Sequence, residues 1–366
     1  MNASVDLGDY GPLAVAHRVA VGDALPLAID AVAECAVPTH RFLRRNWFAA
    51  AATAYGGVVR SWMVTRDDVP VIAMPTVSVG PASLKLAMVA GCYWPFRSFP
   101  VASDVLPDAF DMLLRTVAKD CRVLRLGPVY DGDPALEGLR ASAARAGWRA
   151  IPRLVAESFL LDMAALRAEG TWPRNSTLRK NRFHEKHLGD HGALDWRFAT
   201  GGDWDEAMFD ALAGIERESW IGDRTDGRDA KFASDGHGRF WRLAAADPVI
   251  ARAMWAAVLR IDGKPAAFSF DLNAGDLKYA IANSYLPTFG KHSPGKLLYY
   301  RNLVRALDDG IARVDWGAGD SGYKRTIGAE DGPAIRDWLF VRPGMDAALA
   351  TAFGWAWARR GAKTVD

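Results

Sequence analysis

The run Lys291-His292-Ser293-Pro294-Gly295-Lys296 joins a strand-like segment, LKYAIANSYL, to a helix-like one in which Leu297, Leu298, Leu303, Val304 and Leu307 recur at helical spacing. A helix start has free N–H groups and a partial positive charge, so it binds anions, phosphate above all. Ser293 is the expected N-cap. Pro294 is then the first helical residue, where its missing N–H costs nothing, and Gly295 lets a phosphate approach the backbone. Lys291, His292 and Lys296 add positive charge. The same residues also make a plain, well-formed helix start, and the local sequence leaves both readings open.

Two further stretches carry chemistry. In GAGDSGYK, after the strand-like RVDW, Gly317, Gly319 and Gly322 permit a tight turn that presents Asp320, Tyr323 and Lys324. The alternative is an ordinary Asp-Gly turn with a solvent-facing lysine. Residues 172–188, WPRNSTLRKNRFHEKHL, form a basic helix candidate, capped by Asn175 or Ser176 and ended by Gly189. Its Arg174, Arg179, Lys180, Arg182 and Lys186 make either a solvated face or a surface for an anion. That anion could be a phosphate-bearing acceptor, an acidic carrier protein or a membrane surface. His184 and His187 share a face, with His191 further on, but His-Glu-Lys-His falls short of HExxH and no Cys or carboxylate cluster completes a ligand set. No metal is expected.

The elements that must position these residues repeat along the chain. SWMVTRDDVPVIAMPTVSV and WAAVLRIDGKPAAFSFDLNA each read as a β-hairpin with Asp three residues before Pro, at Asp67 and Pro70 and at Asp262 and Pro265. A strand around 86–92, a helix over 106–119 and the strand CRVLRLGPV follow the first. LKYAIANSYL, a helix over 295–308 and IARVDWG follow the second. Hairpin, strand, helix, strand, twice, predicts two α/β lobes of similar topology joined near 150–160, divided here as 1–155 and 156–366. The lobes are unequal. Asp104 and Asp108 at the first helix start suit capping but repel an anion, whereas the second offers Ser293, Gly295 and Lys296, so an anionic cofactor belongs to the second lobe.

Composition bounds the rest. The 366 residues are half apolar and about a quarter charged, with 45 basic and 43 acidic side chains. This is a core-forming chain with no general reason to bind nucleic acid. Cys35, Cys92 and Cys121 form no CxxC pair, which points to a reducing compartment. No signal peptide and no long apolar helical run is read, so a cytoplasmic, soluble protein is expected. The 14 tryptophans fit either a large apolar pocket or plain core.

The C-terminal half resembles the GNAT acyltransferase superfamily, in its branch related to CelD-like and FemAB-like proteins. The resemblance rests on ERESWIG (216–222), the hairpin LRIDGKPAAFSFDL, SPGKLL (293–298) and DWGAGDSGYKRTIG (315–328), and covers residues 156–345. The N-terminal half looks like the degenerate first lobe of such tandem proteins, with HRFLRRNWFAAAA similar to their opening helix. The resemblance implies α/β (α+β) tandem lobes, each a mixed sheet flanked by helices. It implies an acyl-CoA-type donor against the central strand at Asn283 and Ser284, where two strands splay, with its pyrophosphate on Ser293, Pro294, Gly295 and Lys296. His292-Ser-Pro-Gly295-Lys-Leu297 keeps only the middle glycine of the family's usual loop, so an acyl carrier protein or an aminoacyl-tRNA are alternative donors.

Acyl transfer to an amine requires loss of a proton from the amine, polarisation of the thioester carbonyl and release of the thiolate. Asp320 is then the expected base, Tyr323 the acid or a substrate hydrogen bond, Lys324 a phosphate or carboxylate holder, and His292 a second base or a phosphate contact. By position Glu218 and Trp220 resemble a flap over the acceptor. Glu218 would bind the amine, and Trp220 is otherwise a core residue. GDRTDGRDAKFASDGHGR reads as a lid loop. Arg179, Lys180 and Arg182 would recognise the acceptor or carrier. The branch is associated with envelope and lipid building, including acylation of long-chain amines in bacterial ceramide synthesis. The rivals are FemAB-like aminoacyl transfer from tRNA onto a peptidoglycan precursor and a non-catalytic scaffold in exopolysaccharide production. A peripheral contact with the inner membrane is compatible with the basic helix.

Overall fold

The computed structural model describes residues 16–225, 230–319 and 323–344, with positions 354 and 357 besides. Each half contains the hairpin its sequence demands. Strands β2 (Val59–Arg66) and β3 (Val69–Ser78) turn through Asp67 and Asp68, and β8 (Met254–Ile261) and β9 (Lys264–Ala274) turn through Asp262 and Gly263. All of these turn residues have positive φ. That is the backbone of two-residue hairpin turns whose twist matches the strands, and Asp and Gly tolerate it best.

The first hairpin is followed by β4 (Leu86–Val89), the helix Pro107–Asp120 and β5 (Val123–Tyr130). The second is followed by β10 (Leu277–Tyr285), the helix Pro294–Asp308 and β11 (Arg313–Asp315). In both halves the strands flanking the helix pair in parallel. With β1 (His17–Gly22), β6 (Arg149–Asp162), β7 (Leu194–Ala199) and β12 (Glu330–Val341) they form one 12-stranded mixed sheet, in the order β1-β2-β3-β4-β5-β12-β6-β11-β10-β9-β8-β7. β12, the last strand of the second half, lies between β5 and β6, antiparallel to both, while β6 reaches across to pair with β11. Each half thus hands its last strand to the other, and residues 155 and 156 lie within the shared strand β6. Asp337 of β12, 1% exposed, accepts from Arg125 of β5 at 2.6 and 3.0 Å and from Arg153 of β6 at 2.6 Å.

The helices Pro107–Asp120 and Pro134–Arg145 bury the apolar face of the first half. The helices Arg45–Tyr55, Glu206–Glu218 and Asp235–Ala244 share a second core with β8, β9 and β10, where Trp47, Phe240, Trp241 and Phe270 meet edge to face. Trp47, Trp62 and Trp241 are fully buried, so much of the tryptophan content is core. The helix Pro294–Asp308 lies on the other face of β8 and β9: Leu297 and Leu298 pack on Ala257 and Leu259, whereas Ala256 and Val258 point into the aromatic core.

Beneath that helix lies a fully buried charge pair. Lys278 Nζ donates to Asp271 Oδ2 at 3.1 Å. Asn302 Nδ2 donates to Asp271 Oδ2 at 2.5 Å and to Ser269 Oγ at 2.7 Å, and Trp255 Nε1 donates to Asn302 Oδ1 at 2.7 Å. Burial pushes the Asp271 pKa up and the Lys278 pKa down, and their mutual attraction opposes both shifts. Such a pair adds little net stability, but removing one partner strands the other charge. Lys278→Met is therefore expected to cost about 3–5 kcal/mol in denaturant unfolding, and Lys278→Met/Asp271→Leu to recover a large part of that loss. A single variant within about 1 kcal/mol of the parent would show that the pair is not ionised in the folded protein.

Candidate active site

The parallel pairing of β10 with β11 is short. It covers residues 277–279 against 313–315, ending at the partners Tyr279 and Asp315. β10 runs on to Tyr285, with a bulge against β9 between Ala280 and Ala282, and among the described residues no strand pairs with its β11-side edge beyond Tyr279. A wedge therefore opens between the two strands, with Tyr279 and Asp315 at its apex on the face of the aromatic core.

Asp315 is 3% exposed. Its Oδ1 accepts from the backbone N–H of Gly317 at 2.6 Å and from the Tyr130 hydroxyl at 3.1 Å. Burial raises its pKa above the ordinary carboxylate value, and the hydrogen bonds from Gly317 and Tyr130, the neighbouring Ser158 hydroxyl and the Lys324 charge hold the rise back. Tyr130 comes from the first half and keeps partial exposure, so it forms the solvent side of the cluster. The rings of Phe96, Tyr130 and Tyr279 lie 5.5–6.0 Å apart, centre to centre. Burial and then the Asp315 charge raise the pKa of both tyrosines, so both hydroxyls stay protonated. Behind them the buried His40 Nε2 meets Asp133 Oδ2 at 2.8 Å, and Asp133 also accepts from Ser98 Oγ and caps the 134–145 helix.

The start of the 294–308 helix lies on the opposite face. Pro294 is its first residue, as expected, but Ser293 is left-handed, with φ 51°, and its side chain makes no cap. Its carbonyl instead receives Lys296 N and Leu297 N. Gly295 is buried against β10. A Cβ there would stand 2.8 Å from Asn283 Oδ1 and 2.9 Å from Tyr285 Cδ1, and Asn283 Nδ2 donates to Gly295 O at 3.3 Å. Helix-on-strand packing by itself therefore requires this glycine. Ser284 is fully buried and its hydroxyl has no partner among the described residues. Lys296 is exposed. His292 Nε2 meets His191 Nε2 at 3.0 Å, with the His187 ring stacked nearby. Burial lowers the His184 pKa, and Lys180, Lys296, His292 and His187 lower it further. Positive charge is thus concentrated around this helix start, where an anion would relieve it. Among the described residues no group of three or more His, Cys, Asp or Glu could hold a metal.

The remaining expected site residues are scattered. Asp320 lies outside the described residues, as does the side chain of Tyr323. Lys324 is not solvent-facing: it is 5% exposed, and its ammonium donates to the carbonyls of Trp316, Ala318 and Gly319. It holds the glycine-rich turn in shape, and those donors are committed to backbone. Glu218 is exposed, and Trp220, placed with it on the expected flap, is 43% exposed at the start of the short helix Trp220–Thr225 and so is not a core residue. The expected lid loop is partly helical, since Trp220–Thr225 and Asp235–Ala244 both run into it. The fully buried Glu216 carboxylate fixes its middle by accepting from the backbone N–H groups of Lys231, Phe232 and Ala233 at 2.8–3.1 Å. The basic helix is Asn175–Gly189. Arg174 is at its N-cap position without a side-chain cap, so neither Asn175 nor Ser176 caps it, and Arg179, Lys180 and Arg182 are exposed.

In the first lobe the matching gap is filled. β4 pairs with β5 only over 86–88 and 123–125. Beyond that point Arg97, 9% exposed, donates from Nε to Gly91 O at 3.2 Å and from Nη1 to Gly127 O at 3.3 Å, tying the two strand ends together. At the helix start of this lobe Pro107 is the first residue and no side chain caps it. Asp108 pairs with His17 and Asp104 with Arg66. Sequence reasoning missed Asp315, Tyr279, Tyr130 and Arg97. The single charge inside the apolar run IARVDWG was a usable signal for Asp315. Nothing local marks Tyr130 or Arg97.

Residues 175–325 match the family of acetyltransferase (GNAT) domains. No curated protein matches the chain in sequence. Among solved structures the chain is similar to FemX, at 12% identity over 89% of this chain and 97% of that one, with a TM-score of 0.59. It is similar to a conserved protein of unknown function from Bacteroides thetaiotaomicron, at 12% identity over 89% and 100% of the two chains and a TM-score of 0.55. It is also similar to the C-terminal domain of a protein assigned as a lysylphosphatidylglycerol synthetase from Agrobacterium fabrum, at 15% identity over 89% and 93%, with a TM-score of 0.54. At such identities the likeness is one of fold. The chain carries an acetyltransferase (GNAT) domain over residues 175–325 and, as a whole, has the tandem-GNAT, FemAB-like fold.

Proposed function

We propose that this protein is an N-acyltransferase that moves an acyl group from acyl-CoA, or another acyl thioester, to a primary amine, and that the acceptor is a long-chain, sphingoid-type amine of lipid or envelope synthesis. The observation that carries the reading is the buried Asp315 carboxylate at the apex of an open β10–β11 wedge, between Tyr279 and the Tyr130 of the other lobe. A thioester arm laid in the wedge would bring its carbonyl to that apex. Its phosphates would meet the start of the 294–308 helix, with Lys296 and His292. The amine would arrive on the aromatic face, past Tyr130. Phe96, Tyr130 and Tyr279 suit an acceptor with an apolar body.

In this scheme Asp315 takes the proton that the ammonium must lose, and the amine nitrogen attacks the thioester carbon. The C–N bond forms, the C–S bond breaks, and the thiolate leaves and is reprotonated. The tyrosine hydroxyls, kept neutral by burial, are placed to donate to the developing oxyanion or the departing sulfur. Arg97 in the first lobe supports a single donor site, in the second lobe. Aminoacyl transfer is the second reading. The exposed cations of the 175–189 helix beside the same helix start favour it, because an RNA donor needs a basic surface.

Incubation with a long-chain acyl-CoA and a long-chain amine is expected to release CoA thiol and give the amide by mass spectrometry. Turnover only with aminoacyl-tRNA would select the second reading. Asp315→Asn is expected to lower kcat by about 10²- to 10⁴-fold. The same change should hold or raise Tm at neutral pH. A carboxyl whose folded pKa is raised above its unfolded value destabilises the fold once ionised, and that cost disappears only as pH falls through the folded pKa. Loss of Tm with the rate retained would make Asp315 structural.

The acid limb of kcat/KM in the parent is expected above the ordinary carboxylate range and to vanish in Asp315→Asn. Lys296→Glu is exposed and should leave Tm unchanged while weakening acyl-CoA binding about fivefold in a calorimetric titration. Unchanged affinity would remove the phosphates from this helix start.

A further inference from the structure

The 175–189 helix lies at the surface with Asn181 and Leu188 buried and Leu178 turned toward the neighbouring core. At about 3.6 residues per turn, its outer stripe holds Arg179, Arg182, Phe183 and Lys186, with Lys180 at the edge. All four cations are exposed, and none forms an ion pair among the described residues. Phe183 stands among them 61% exposed, with the His184 and His187 rings edge-on to its own. A large aromatic left in water at the centre of a cationic stripe is unfavourable for a freely solvated helix. Beside the stripe a groove of about 400 Å³ runs between this helix and the 294–308 helix, lined by Leu178, Leu297 and Val304 with Arg182 and the acids Glu185 and Asp308. Asn181 is among the residues lining that groove, and its buried Oδ1 has no hydrogen-bond partner among the described residues.

We propose that this helix docks on an anionic lipid surface, with the cations on headgroup phosphates and Phe183 at the boundary with the acyl chains. Charge complementarity fixes the sign of the partner. A largely exposed ring set among exposed cations favours a soft, layered partner over an acidic protein, which would need a matching pocket for the ring. Negative headgroups above an apolar layer satisfy both kinds of side chain at once. The docked face lies next to the start of the 294–308 helix, so an acceptor drawn from a membrane would have a short way to travel.

Sedimentation of the full chain with vesicles of phosphatidylcholine alone, and of phosphatidylcholine mixed with phosphatidylglycerol, tests this independently of any transferase activity. Binding is expected only to the mixed vesicles and should weaken with added salt. Phe183→Ser is expected to weaken it roughly tenfold, and Arg179→Glu and Arg182→Glu about fivefold each or more. Circular dichroism and Tm matching the parent would exclude unfolding of the variants. Equal binding to both kinds of vesicle, or unchanged binding of the charge variants, would overturn the proposal. So would parental binding by Phe183→Ser together with full displacement by soluble polyglutamate, since that outcome describes attraction to any polyanion.

Discussion

β12 sits between β5 and β6, and the rest of the molecule depends on that insertion. Two separate lobes would each present an open sheet edge, a row of unpaired N–H and C=O groups in need of cover. Exchanging the last strands pairs both edges and makes one sheet of the two halves. Asp337, buried and bound by arginines from both neighbouring strands, ties the inserted strand on each side. The consequence is felt at the strand ends. β5 delivers Tyr130 to the Asp315 at the end of β11, and the bulges of β12 near Asp331 and Ile335 lie close to that junction. A hydroxyl from one half and a carboxylate from the other thus meet only because the strands are exchanged.

The repeated topology gives the same opportunity twice, and the side chains use it differently. In the second half the short β10–β11 pairing leaves a gap with a buried acid at its apex. In the first half Arg97 closes the matching gap through two backbone carbonyls. A buried guanidinium loses hydration, and burial lowers its pKa, so those carbonyl contacts are what keep it there. The second half spends a buried charge pair elsewhere, under the 294–308 helix, where Lys278, Asp271 and Asn302 fix how that helix sits on the sheet. The helix start therefore has a defined position relative to the wedge, as a site for a long phosphate-bearing donor would need.

Charge and apolar surface are divided between the two faces of the second lobe. Lysine and histidine gather around the start of the 294–308 helix, while rings of Phe96, Tyr130 and Tyr279 line the other side of the apex. In the proposed reaction an anionic donor and an apolar acceptor approach from opposite faces and meet at Asp315. Glu216, by clamping residues 231–233, gives the segment leading into the 235–244 helix a fixed anchor in the aromatic core.

Short-range physics was legible in the sequence. The Asp67-Asp68 and Asp262-Gly263 turns, the hairpins they close, the two crossover helices and Pro294 at a helix start all follow from local residue preferences and periodicity, and so did the duplication. Side-chain roles that depend on a partner far along the chain were not legible. Lys324 looks like a free cation until the turn it follows folds back over its ammonium. Ser293 looks like a cap until its backbone adopts a left-handed conformation that takes its hydroxyl out of that role. Gly295 looks like room for a ligand, yet Asn283 and Tyr285 already occupy that space. Which carboxylate lies buried at the wedge, and which lobe keeps its wedge open, is decided by contacts such as Tyr130 with Asp315 and Arg97 with Gly127. Sequence separation hides those contacts, because burial and hydrogen-bond partnership are properties of the assembled sheet and not of any segment of it.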